Sequence, residues 1–191
     1  MVDLLPMPMS IQSGDGYLRR SKENVSSEQV RAPGRVLRAV ARLPLAGFPI
    51  EVEIVETTAE QPRLNDSYAY RLVVSETGVR IEADTQWGAL AALTTLTQLT
   101  SDDSIPCCAI TDAPRFQWRG LMVDVARHYI SLETLRRTLD AMGYFKLNVL
   151  HIHLSDDQAF RYSGTSFPEM ASAESRIASA SSRRTGMRCS H

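Results

Sequence analysis

Between Ile50 and Glu56, and again between Tyr68 and Ser75, β-branched and aromatic residues recur with partial alternation, the pattern of half-buried strands. Gly78 to Ala83 forms another short run after a turn at Glu76-Thr77-Gly78, which predicts an antiparallel return onto the strand before it. The period then changes. From Thr85 to Thr100, Trp87, Leu90, Leu93 or Thr94, Thr97 and Gln98 mark a helical stripe, Ala91, Leu96 and Leu99 widen it, and Asp84 is the expected N-cap. A stripe this wide lies across a sheet. Arg35 to Arg42, just after Pro33-Gly34, carries a weak helical pattern. The expected fold class up to residue 112 is α+β, a helix on a mainly antiparallel sheet.

Asp112-Ala113-Pro114 punctuates the chain, because Pro114 turns Ala113 away from helical backbone and into an extended segment. A strand is expected over Gly120–Val125, a helix over Leu132–Lys146 with Ser131 as N-cap, and a second strand over Asn148–His153. Leu132, Leu135, Leu139, Met142 and Phe145 fall at helical spacing and are expected to be core. In a parallel strand-helix-strand layout, side chains at neighbouring carboxyl ends converge on one rim. Arg127 and His128 are therefore expected to meet His153, Asp156 and Asp157. From Ala171 onward the chain is rich in Ser, Ala and Arg and nearly free of large apolar residues, so residues 171–191 are expected to be disordered or out of frame.

Composition narrows the picture little. The 191 residues are 43% hydrophobic and 23% charged, ordinary for a globular chain, and the formal net charge of −1 gives no pull toward nucleic acid or an anionic membrane. The start, M-V-D-L-L-P-M-P-M-S, lacks a basic region before its apolar run, and no stretch reaches the roughly 18 apolar residues of a membrane span. A cytoplasmic protein is the expectation. Adjacent Cys107 and Cys108, with Cys189 distant, form neither a disulfide framework nor a zinc pattern, and the pair reads as small buried hydrophobes. No cofactor and no metal are expected.

Three phrases carry more information: R-G-L-M-V-D-V-A-R-H-Y at 119–129, K-L-N-V-L-H-I-H-L-S-D-D-Q at 146–158, and F-P-E-M at 167–170. In order and spacing they resemble the opening of the catalytic barrel in the family 20 glycoside hydrolases, the β-N-acetylhexosaminidases. L-L-P-M-P-M-S-I at 4–11 and T-Q-W-G-A-L at 85–90 are similar to phrases of the α+β domain that precedes that barrel. The resemblance implies residues 1–112 as that domain and 113–170 as the first β-α-β portion of a (β/α)8 barrel, which when complete takes about 250 residues. It implies a chain that is part of a larger enzyme.

It also implies a chemistry, in which the substrate's own acetamido oxygen is the nucleophile and terminal N-acetylhexosamine is released from glycans with retention. The family's catalytic pair is an adjacent Asp-Glu, and no Asp-Glu dipeptide occurs in these 191 residues. The expectation is that this chain alone does not turn over substrate. What carries over is the sugar-gripping part. Arg127 matches the arginine that donates to the 3- and 4-hydroxyls of the terminal sugar, a task for a rigid charged fork. Asp156 matches the first carboxylate of the D-D motif, which supports the catalytic acid, and His153 the second histidine of H-x-H in the same network.

Other readings compete. Arg127 pairing with Asp124 or Asp156 as a surface ion pair, Asp157 as an N-cap or loop residue, His128 and His151 as structural histidines, and Arg119 and Asp124 as barrel-interior or rim polar contacts, with Asp124 able to reach the site, are all compatible with the sequence. A metal-dependent barrel hydrolase is a second class, since His151 and His153 share one face of a strand with Asp156 and Asp157 nearby. A non-catalytic carbohydrate-binding or inert remnant is the third.

Overall fold

Ile50, Val52, Ile81 and Ala83 are buried while Glu51, Glu53 and Arg80 between them are exposed, and this period of two sets up the first sheet. The computed structural model describes residues 4–21, 34–56, 61–157 and 159–161. The chain divides into two compact units, Met1–Gln117 and Trp118–His191.

In the first unit the elements run β1 (Ser10–Arg19), α1 (Gly34–Arg42), β2 (Ile50–Ile54), β3 (Tyr70–Ser75), β4 (Gly78–Ala83), α2 (Gln86–Leu99) and β5 (Ser104–Asp112). The sheet order is β1-β5-β3-β4-β2, antiparallel throughout except for the parallel pair β2 and β4. The tight return at Ser75↔Gly78 is the expected antiparallel hairpin. Two strands escape the sequence reading. β1 is exposed along nearly its whole length and contains an irregularity between Ser13 and Tyr17, where Gly16 takes φ 90°. β5 carries Pro106, which is opposite Tyr17 at the end of that irregular stretch, where a residue without an N–H is tolerated.

Helix α2 covers one face of the sheet and buries Trp87, Ala91, Leu93, Leu96 and Leu99 of the expected stripe, but the centre of its buried side is rotated toward Ala89 and Ala92. Ala89, Ala92, Leu93 and Leu96 are sealed from solvent, whereas Leu90, Thr94, Thr97 and Gln98 are only partly buried. Small residues at 89 and 92 let the helix lie close to the strands, so the contact line follows closeness of approach more than side-chain size. The N-cap is Thr85, one residue later than expected: its hydroxyl accepts from the Trp87 and Gly88 amides at 3.1 and 3.3 Å. Asp84 instead accepts from the Ser67 hydroxyl at 2.6 Å. Gln98 clasps the amino-terminal segment, accepting from the Leu5 amide at 2.9 Å and donating to its carbonyl at 2.7 Å.

The Tyr70 hydroxyl lies 2.6 Å from the Thr95 hydroxyl and donates to Asp112 at 3.0 Å, joining β3, α2 and β5 inside the unit. Burial pushes the phenol above its usual 10.0. A raised folded-state value means that stability is intact below pH 10.0 and falls as pH rises past it, because only the unfolded chain can release the proton. Tyr70→Phe is expected to cost about 1 kcal/mol at neutral pH through the lost hydrogen bonds. It is also expected to flatten the alkaline loss, which urea unfolding at neutral pH and at about pH 11 measures. Cys107 and Cys108 are buried free thiols, with Cys108 pushed up to about 11 by burial, as the small-hydrophobe reading expects.

The second unit contains β6 (Gly120–Asp124), α3 (Leu132–Tyr144), β7 (Val149–His153) and a short hairpin, β8 (Ser155–Asp156) and β9 (Ala159–Phe160). β6 and β7 pair in parallel from Gly120↔Val149 to Asp124↔His153, with α3 between them in sequence. Ser131 caps α3 as expected, accepting from the Thr134 amide at 3.1 Å. The expected five-residue core stripe is corrected: only Met142 is buried, while Leu139 and Phe145 are 51% and 45% exposed. Two strands about 5 Å apart form too narrow a ledge to cover a stripe running the length of the helix. The readings of F-P-E-M at 167–170, of Cys189 and of residues 171–191 lie outside the described residues.

No helix among the described residues is long and apolar enough to cross a membrane.

Candidate active site

The register Asp124↔His153 puts the last residues of β6 and β7 side by side, so the loops that follow them start from one edge. After β6 the chain turns sharply, and Asp124 makes the turn by accepting from the Ala126 and Arg127 amides at 2.9 and 3.0 Å. The turn brings the Arg127 guanidinium back over the carboxylate that formed it, with Nη1 at 2.5 Å from Asp124 Oδ2. After β7, the β8–β9 hairpin presents Asp156, which accepts from Arg127 Nη2 through Oδ2.

The same Asp156 Oδ2 lies 2.8 Å from His153 Nε2, and the Asp157 amide donates to Oδ1 at 2.8 Å. These contacts hold the Asp156 carboxyl below the usual carboxylate range; the His153 bond is the largest cause, followed by the Asp157 amide and the Arg127 charge. Asp156 is thus ionised at neutral pH, and the His153 proton belongs on Nε2, facing it. Asp124 is also held low, first by the Arg127 amide. Arrangements that depend on lowered carboxylates are present above the ordinary value of 3.8 and come apart as pH falls below it. His153→Ala is expected to move the Asp156 titration back up toward 3.8, read from its side-chain carboxyl carbon by NMR.

The structure therefore joins Arg127, Asp124, Asp156 and His153 in one network. Asp124, expected as a barrel-interior or rim contact able to reach the site, is a full member. Arg127 does form an ion pair, with both carboxylates together, and its side chain remains 57% exposed against 22% for each of them. The partial exposure leaves N–H donors of the fork open to a ligand. His128, expected to join the cluster, is exposed and outside this network, because the backbone turn at Asp124 swings successive residues apart. Asp157 enters through its backbone amide alone, in keeping with the loop half of its N-cap or loop reading.

Arg119 lies at the other end of β6. Its amide donates to the Asn148 side chain and its Nε to the Lys146 carbonyl, both at 2.9 Å, so it ties the strand start to the turn after α3. His151 is exposed beside Met122 on β6. Among the described residues no group of three His, Cys, Asp or Glu side chains is arranged to hold a metal ion, and the geometry gives the His151/His153 metal alternative no support. One member of the surroundings went unread in the sequence: Arg161, whose Nε donates to the Val125 carbonyl at 2.8 Å. Its signal is a backbone contact 36 positions away, which no local motif announces.

Comparisons with known proteins identify the frame around this network. Residues 1–113 match the profile of glycosyl hydrolase family 20, domain 2, and residues 116–188 that of the family's catalytic domain. A β-N-acetylhexosaminidase of Cellulomonas fimi is 36% identical over 190 residues, 90% of this chain and 38% of its own length. A β-hexosaminidase subunit beta of Mus musculus is 43% identical over 115 residues, 58% of this chain and 22% of its own length. In the solved structure of a Flavobacterium johnsoniae chitobiase, 87% of this chain superposes on 29% of that one with a TM-score of 0.71 and 31% identity. The chain spans well under half the length of each of these relatives. With both of the family's profiles matched in order along it, the chain belongs to glycosyl hydrolase family 20.

Proposed function

We propose that this chain supplies the sugar-gripping part of a β-N-acetylhexosaminidase, an enzyme that removes terminal N-acetylhexosamine by substrate-assisted, retaining hydrolysis. In this reading residues 1–112 are the α+β domain that precedes the barrel, and 113–170 are the first β-α-β portion of the (β/α)8 barrel. The observation that carries it is the Arg127 guanidinium, fixed between Asp124 and Asp156 yet more than half exposed. A fork held rigid on one side and open on the other suits two adjacent sugar hydroxyls, which accept parallel N–H donors.

Asp156 and His153 act behind it. An ionised Asp156 anchors the arginine and fixes the His153 proton on Nε2, so the network presents donors in set directions before a sugar arrives. The family's catalytic Asp-Glu pair has no counterpart in these 191 residues. The chain is accordingly read as a piece of the enzyme that binds without turning over. The relatives named as β-hexosaminidases and chitobiase support N-acetylhexosamine-terminated glycans as the ligand class.

The test is hydrolysis of a chromogenic N-acetyl-β-glucosaminide by the purified chain, with Arg127→Ala as the control for a contaminating hydrolase. No turnover is expected from either. Turnover that disappears with Arg127→Ala places a catalytic carboxylate within this chain and overturns the division of labour proposed here.

A further inference from the structure

Arg127 is only as well aimed as the three residues that lead into it. Val125 and Ala126 are buried, at 5% and 0% exposure, so their backbone groups need partners inside the protein. The N–H groups are all taken: Val125 donates to the His153 carbonyl at 3.1 Å, and Asp124 accepts from Ala126 and Arg127. The Val125 and Ala126 carbonyls are both taken by one residue. Arg161 donates from Nε to Val125 at 2.8 Å, its Nη2 lies 3.5 Å from the Ala126 carbonyl, and its guanidinium carbon sits 5.6 Å from the centre of the Tyr129 ring. Its own amide donates to the Leu154 carbonyl at 2.9 Å, which fixes where the side chain starts.

We propose that Arg161 is a positioning residue for Arg127: its guanidinium locks the Val125–Ala126 backbone and, with Tyr129, brackets the loop that aims the sugar-binding fork. The inference rests on the reading of Arg127 as the hydroxyl donor. The β8–β9 hairpin then holds Arg127 twice, through Asp156 on its first strand and through Arg161 just past its second. A charged donor on a buried carbonyl makes a stronger bond than a neutral one, and its loss leaves the carbonyl unsatisfied. Arg161 does this without touching the sugar.

The experiment is amide hydrogen exchange on the full 191-residue chain, comparing parent, Arg161→Ala and Arg161→Lys, with binding of N-acetylglucosamine followed on the same samples. Arg161→Ala is expected to speed exchange at Ala126 and Arg127 by about tenfold while the amides of α3 keep their protection, and to weaken sugar binding by about fivefold to tenfold. Arg161→Lys keeps the charge and one donor but not the fork, and is expected to recover part of both effects. Unchanged exchange at Ala126 and Arg127 overturns the proposal, as does a uniform rise across the whole unit, which marks a general stability role. If no variant binds sugar, including the parent, the sugar-site reading fails, and the exchange pattern still decides whether Arg161 positions Arg127.

Discussion

Asp156→Ala is expected to weaken N-acetylglucosamine binding by about tenfold or more, the largest single loss short of removing Arg127 itself. One oxygen, Asp156 Oδ2, serves both Arg127 and His153, so its removal frees two donors at once. Arg127 then keeps only Asp124 in this network and can swing with the side-chain freedom that an exposed arginine regains. Asp156→Asn retains an acceptor oxygen but not the charge, and an intermediate loss is expected. Titration of sugar into the labelled chain, followed by shifts of the Arg127 side-chain N–H, measures all three. Equal affinity in parent and Asp156→Ala would make the carboxylate a bystander.

Gly88→Ala is expected to destabilise the first unit by about 2 kcal/mol, against the direction that helix propensity alone gives. Alanine within a helix is favoured over glycine by about 1 kcal/mol. Here the added Cβ meets the Ala69 carbonyl oxygen at 2.4 Å, and that oxygen belongs to the backbone leading into β3. No rotamer relieves the clash, so α2 has to lift from the sheet, opening contacts at Ala92, Leu93 and Leu96, which are sealed in the native packing. Thermal unfolding by circular dichroism is expected to show a midpoint lower by about 10 °C. A raised midpoint would mean the helix shifts freely and the close approach has no energetic weight.

The same glycine shows how far the sequence could be read. Trp87-Gly88-Ala89 was recognisable as a phrase, but the reason for glycine there is a contact 19 positions away in the chain. β2, β3 and β4 were legible because Ile50-Glu51-Val52-Glu53 and Val79-Arg80-Ile81-Glu82 alternate visibly. β1 was not, because an edge strand exposed along nearly its whole length has no hydrophobic period. β5 was hidden by Pro106 and by the cysteine pair. At the candidate site Arg127, Asp156 and His153 stood out through their phrases, and the parallel register of β6 and β7 brings them together. His128 was expected on the same rim because its neighbour belongs there; the Asp124 turn, a side-chain-to-backbone contact invisible to periodicity, separates the two. Arg161 lay beyond any motif because its role is defined by two backbone carbonyls.

Arg127 is either a sugar donor or only a surface ion pair, and one measurement separates the two. The direct measurement is N-acetylglucosamine binding to the chain by saturation-transfer NMR, repeated with Arg127→Ala and with a thermal melt to confirm that both are folded. Weak binding by the parent is expected, with Kd on the order of 1 mM from a few hydrogen bonds, and its loss in Arg127→Ala. Binding of equal strength by a folded Arg127→Ala variant, or no binding by the folded parent, rules out Arg127 as the sugar donor.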